Sequence, residues 1–322
     1  MNKNIFLALI LLVFLSSCDM MGSTDQGSSG RTQSRITGDG ISVSFVRGVP
    51  PDRIYVDTSR AGETPFEVVV DISNTGSFPR DDLASVKGKL YLTGFDPNII
   101  RGGRWDDGTN EFNRIQGATQ SFPNGGFMQK NYVASIHYPS SSREYPIDLM
   151  LTSCYYYETL ATGMVCVDPN PGSIDEKVCR MGSVSLDAQN APVKVTSVEQ
   201  TGNSRELILT INIANRGSGT ILREFSSGGV VSENRCLNTG FGDTDLIAIN
   251  ARISGLGEGA CRPKGTESEP IRIVNGQGTV ICKFNLPQNI DSAYATQMEL
   301  NLEYGYRKST RKRVTLVNTA PN

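Results

Sequence analysis

Seven cysteines, a single histidine and a few grouped carboxylates are the side chains of this 322-residue chain whose chemistry could go beyond packing. His137 lies within Tyr132-Val-Ala-Ser-Ile-His-Tyr138, opposite in parity to Ile136 and Tyr138. On a strand that parity turns it away from the sheet core. A hydrolase using histidine as its base would have to use this one. No Gly-x-Ser-x-Gly elbow, phosphate-binding loop or dinucleotide fingerprint accompanies it. His137 therefore reads as a surface or structural residue, and no residue is assigned a catalytic, cofactor-binding or metal-binding role.

The carboxylates fall into two loops. Asp96, Asp106, Asp107 and Glu111 flank Trp105, the sole tryptophan, in a Gly- and Asp-rich stretch that reads as a loop. Asp168-Pro-Asn-Pro-Gly-Ser-Ile-Asp175-Glu176 loosely suggests a calcium loop. Calcium needs six or more converging oxygens, and prolines interrupt the spacing here, so an ordinary loop is the favoured reading. A glycosidase-type carboxylate pair has no particular support.

One cysteine, Cys18, stands apart from the other six: Cys154, Cys166, Cys179, Cys236, Cys261 and Cys282. Their separations contain no close pair of the kind that holds zinc, whereas an even number in an exported chain implies disulfides. If a turn centred on Leu160 makes a regular hairpin, Cys154 and Cys166 face each other and bridge. Cys261–Cys282 then closes the long loop of the second half, and Cys179–Cys236 joins the halves. The rival pairing is Cys166–Cys179.

Cys18 ends the N-terminal signature. A short n-region carries Lys3, an apolar run spans Ile5 to Leu15, and Leu15-Ser16-Ser17-Cys18 follows. The run is too short to cross a membrane and has the length of a signal-peptide core. Leu-Ser-Ser-Cys looks like the lipobox of prokaryotic lipoproteins, whose cysteine is acylated after cleavage. Residues 1–17 thus read as a lipoprotein signal peptide and 18–40 as a lipidated tether rich in Gly, Ser and Thr. Its coil dimension is about 25 Å. Stable anchoring takes more than one acyl chain. The expected location is the extracytoplasmic face of the cell membrane, with the membrane as a partner through the lipid.

From Ile41 the pattern becomes short alternating runs bounded by Gly, Asn, Asp, Pro and Ser, the signal for strands. The fold class is all-β. Phe66-Glu-Val-Val-Val-Asp-Ile-Ser-Asn-Thr-Gly-Ser77 matches Leu207-Ile-Leu-Thr-Ile-Asn-Ile-Ala-Asn-Arg-Gly-Ser218 position for position. The shared Asn-x-Gly reads as a strand end where Asn and Gly accept positive φ. Leu92-Thr-Gly-Phe95 matches Ile253-Ser-Gly-Leu256, and Leu149 to Tyr157 matches Met298 to Tyr306, in the same order. Each copy of the third match is expected to continue into a polar turn and a last strand. Two related β-domains follow, 41–187 and 191–318, each with room for seven to nine strands in a two-sheet sandwich.

Net charge is −2, which makes no case for nucleic acid. The half after Ala191 is slightly basic and the half before it slightly acidic. Arg307, Lys308, Arg311, Lys312 and Arg313 form a basic run that the repeat places at a hairpin tip. It is a solvated turn or a contact for an anionic envelope component. Tyr155 to Tyr157 are consecutive, so at least one faces each side of its sheet.

Thr75-Gly-Ser77 with its preceding strand resembles the strand-turn of Ig-like domains in exported prokaryotic proteins. Cys154-Tyr-Tyr-Tyr157, Val165-Cys-Val-Asp-Pro-Asn-Pro171 through Val178-Cys179, and Glu303-Tyr-Gly-Tyr306 together are similar to uncharacterised exported tandem Ig-like proteins of archaea with reduced genomes. The resemblance implies a tandem of Ig-like sandwiches and carries no activity. It departs from antibody domains, since Trp105 is not part of a Cys…Trp…Cys core. The expected function is a non-enzymatic, surface-displayed binding or structural module whose partner is an envelope protein or polymer. The alternatives are a subunit of a larger envelope complex, or a hydrolytic enzyme of unknown type.

Overall fold

The structure is a computed structural model that describes residues 40–59, 63–79, 86–138, 143–225 and 230–320. The signal 1–17, Cys18 and the tether up to residue 39 lie outside the described residues.

Period-two alternation becomes strand burial directly. In β3 (Thr64–Asn74), Phe66, Val68, Val70 and Ile72 point into the core, while Glu67 and Asp71 do not. In β10 (Glu206–Asn215), Leu207, Leu209, Ile211 and Ile213 do the same. The fold is an all-β sandwich, as the sequence pattern requires.

Three sheets build it. Strands β1 (Ile41–Phe45), β3, β7 (Phe127–Ile136) and β5 (Ile100–Trp105) form a four-stranded sheet in the order β1-β3-β7-β5. A second has the order β14-β16-β10-β9, from β9 (Val193–Gly202), β10, β14 (Ala260–Arg262) and β16 (Gln277–Asn285). The large sheet runs β13-β12-β17-β8-β4-β6. It uses β4 (Val86–Thr93), β6 (Glu111–Ile115), β8 (Glu144–Val167), β12 (Leu246–Ile253), β13 (Gly257–Glu258) and β17 (Tyr294–Asn318). Short strands β2 (Arg53–Val56) and β11 (Thr220–Leu222) add to the free side of β17, and β15 (Ile271–Arg272) to β12.

The large sheet joins the two sequence halves. β8 and β17 pair antiparallel from Glu144↔Val317 to Val167↔Tyr294, a ladder about 80 Å long at strand rise. This register sets Tyr155 opposite Tyr306 and Tyr157 opposite Tyr304, with all four rings on one face. Both four-stranded sheets pack on that face, and the inward side chains of all three sheets merge into one apolar cluster. The four tyrosines are fully buried, with centroids 5.9 to 6.3 Å apart. Each such aromatic contact contributes about 0.5–1.5 kcal/mol beyond area burial.

Several local expectations change. No turn occurs at Leu160, because β8 continues through it, held on every residue by β17. Cys154 and Cys166 therefore lie about 40 Å apart along one strand and cannot bridge. The disulfides are Cys154–Cys236, Cys166–Cys179 and Cys261–Cys282. The expected Cys154–Cys166 and Cys179–Cys236 pairs are thus replaced, while Cys261–Cys282 and the rival Cys166–Cys179 form. Arg307 to Arg313 lie inside β17 rather than at a hairpin tip. Trp105 is not in an open loop but ends β5, buried against Tyr132.

Candidate functional site

The two Asn-x-Gly turns have one construction. Asn74 accepts from the Gly76 amide and the Tyr157 hydroxyl at Oδ1, and its amide donates to Phe78 O. The Phe78 amide then donates to Tyr157 Oη. Asn215, Gly217, Tyr306 and Gly219 repeat the same four hydrogen bonds. A Cβ on Gly76 would overlap the Tyr157 hydroxyl, and one on Gly217 the Tyr306 hydroxyl. Neither glycine has a positive φ, so close approach is what requires it. The left-handed conformation falls instead at Gly94 (φ 87°) and Gly255 (φ 84°), which occupy matching places after β4 and β12.

The two acidic loops each close around a lysine ammonium. Lys130, 2% exposed on β7, donates to Thr109 O (2.9 Å) and Glu111 O (2.6 Å) and pairs with Asp107 (2.9 Å). Its Nζ lies 5.7 Å from the Trp105 ring centroid. In the other loop Lys177 pairs with buried Asp168 at 2.6 Å and donates to Asn170 O. In both loops burial works against the carboxylate, and the lysine with backbone amides outweighs it. Asp107 and Asp168 are thus held below the usual range. In each loop the oxygens converge on a cation supplied by the chain. Among the described residues no group of three or more His, Cys, Asp or Glu is arranged to hold a metal.

His137 follows the last residue of β7 and is partly exposed, with Nδ1 3.6 Å from Glu63 Oε1. That is an ion pair only when the ring is protonated, and too long for a hydrogen bond.

The six cysteines are all bonded, and each bridge fixes a segment to a sheet. Cys261–Cys282 links directly opposed residues of β14 and β16. Cys166–Cys179 fastens the loop after β8. Gln200 reinforces it: its side chain accepts from the Cys166 amide at 3.1 Å and donates back to Cys166 O. Cys154–Cys236 ties the short helix α1 (Glu233–Leu237) to the outer face of the large sheet. There Tyr91, Cys154, Leu222, Val231 and Cys236 make a small second core.

That outer face also carries charged groups. Glu158 and Glu303 stand opposite each other, with the Tyr156 phenol donating to Glu158 Oε1 at 2.8 Å. Burial, and then the Glu158 charge, raise the pKa of Glu303. Further along, Arg311 and Arg313 both hydrogen-bond Asp148, whose carboxyl these guanidiniums hold far below the usual range. Lys312, on the opposite face of β17 from Arg311 and Arg313, reaches Asp52 at 3.5 Å. Arg307 donates to Cys236 O at 3.0 Å and Thr239 Oγ1 at 2.8 Å. Arg307, Arg311, Lys312 and Arg313 are thus engaged by the protein itself. Lys130, Lys177 and the pairing of Glu158 with Glu303 were missed at the sequence level, since the first two depend on how a loop closes and the last on strand register.

Against known proteins, the chain matches no family model, and no curated protein is significantly similar to it.

Proposed function

We propose that this chain is a non-enzymatic binding or structural module of a cell envelope, displayed outside the membrane and anchored by lipid on Cys18. The observation that carries the reading is the closure of all six cysteines into three disulfides, which fits an oxidising compartment. The Leu15-Ser16-Ser17-Cys18 sequence supports export with acylation. No helix among the described residues is long and apolar enough to cross a membrane, so the lipid supplies the attachment in this reading.

The halves 41–187 and 191–318 are, in the same proposal, related Ig-like copies of the kind found in exported archaeal tandem proteins. The matching strand orders β1-β3-β7-β5 and β9-β10-β16-β14 support it, as do the four hydrogen bonds shared by the Asn74 and Asn215 turns. The partner is an envelope protein or polymer, and a stiff shared sheet presents a fixed surface to it.

The test expresses the full chain in a prokaryotic host fed labelled fatty acid, beside Cys18→Ser. The expected result is label and membrane fractionation for the parent, with protease access on intact cells, and an unlabelled, released variant. An unlabelled parent in the soluble fraction overturns the reading.

A further inference from the structure

A cleft of about 530 Å³ opens on the outer face of the large sheet, beside α1. Its floor is made by Thr152 and Ser309, directly opposed on β8 and β17 with hydroxyls 2.9 Å apart. Thr93 and Met150 line one side and Thr220 another. Arg307 is the one charged residue lining the cleft, among the described residues.

The position of that guanidinium is fixed by the fold. Nη1 is held by Cys236 O and Thr239 Oγ1, and Cys236 is itself bonded to Cys154 beneath it. Nε and Nη2 have no protein partner among the described residues. Lys130, Lys177, Arg311 and Arg313, by contrast, each meet a carboxylate. Here a pinned arginine faces hydroxyls and no acid. A guanidinium fork matches a carboxylate or phosphate, and a bed of hydroxyls both donates to and accepts from a polyol. The volume lies within the range of small-molecule sites, and the lining is too polar for an apolar ligand.

We propose that this cleft binds a monosaccharide bearing one anionic group, with the anion on Arg307 and the sugar hydroxyls on Thr93, Thr152, Thr220 and Ser309. The proposal deepens the binding-module reading and rests on it, but its test does not depend on the anchor, which the fatty-acid labelling reads separately.

The experiment is calorimetric titration of the oxidised full chain in detergent with glucuronate, glucose 6-phosphate and glucose. The expected result is saturable one-site binding of an anionic sugar, about tenfold tighter than glucose. Which of the two binds identifies the carboxylate or the phosphate as the source. Arg307→Gln should weaken binding by about tenfold or more. Met150→Trp, at a position 43% exposed, fills the cleft from its rim and should abolish binding without disturbing the core. Three results overturn the proposal: no saturable binding of either anionic sugar up to about 10 mM, glucose binding as tightly as they do, or unchanged affinity in both variants.

Discussion

Glu158 and Glu303 occupy opposed positions at the middle of the longest ladder in the molecule, two carboxylates facing each other across β8 and β17. Like charges directly opposed in a sheet are destabilising. The arrangement persists because Tyr156 donates to Glu158 at 2.8 Å and the Asn301 amide lies 3.4 Å from both glutamates.

The pair should make the protein prefer mild acid. Glu303 has its folded pKa raised above the ordinary 4.5, so the folded state holds a proton that the unfolded chain has given up. Stability contributed by that proton is present below 4.5 and is lost as pH rises through the folded value. Glu303→Gln should therefore stabilise at neutral pH by about 0.5–1 kcal/mol after solvent screening. Urea unfolding of both proteins from pH 4 to 7.5 checks this: the gap should shrink toward pH 4, and a gap independent of pH contradicts it.

The two Asn-x-Gly turns should fail by the same mechanism. Gly76→Ala and Gly217→Ala each drive a methyl into a tyrosine hydroxyl that is buried and hydrogen-bonded. Overpacking plus a broken buried hydrogen bond costs about 2–4 kcal/mol. In a Tyr157→Phe background the cost of Gly76→Ala should fall, though not vanish, because Asn190 O also lies 2.6 Å from the added carbon. Additive losses in that double-mutant cycle would contradict the account.

Lys130→Met should destabilise by about 2–3 kcal/mol by stranding Thr109 O, Glu111 O and Asp107. Trp105, the sole tryptophan, lies next to the ammonium, so its fluorescence reports the loop directly. A red shift at temperatures where the strands remain folded is expected. Unchanged emission and melting would show that the ammonium is dispensable.

Among the disulfides, Cys154–Cys236 spans 82 residues, against 13 and 21 for the others. Loop-closure entropy makes its removal the most costly, within the usual range of about 2–4 kcal/mol. Paired Cys→Ala variants compared by urea unfolding test the ranking, and non-reducing peptide mapping tests the pairing. A peptide joining Cys154 to Cys166 would contradict the continuous strand β8.

Much of the fold could be read in advance, because period-two burial is written residue by residue in segments such as Phe66 to Ile72. The recurrence of Asn74 and Gly76 as Asn215 and Gly217 was legible too, but its cause was not. Positive φ was the expected reason, whereas the tyrosine hydroxyls come from β8 and β17, 83 and 91 residues away in chain order. Leu160 misled for a related reason. Its polar neighbours suit a turn equally well, and only pairing with Asn301 keeps that stretch extended.

The sequence by itself determined the strands and an even set of cysteines suited to bridging, because each depends on a residue type and its immediate spacing. The tertiary structure alone decided which cysteines meet, that Lys130 and Lys177 fill the acidic loops, and that Arg307 reaches a hydroxyl-lined cleft. The Arg307 cleft and the Cys154–Cys236 bridge depend on register between strands far apart in the chain, and the lysines and the shorter bridges on how their loops close. A shift of one residue in that register turns every side chain to the other face, so no local pattern can specify it.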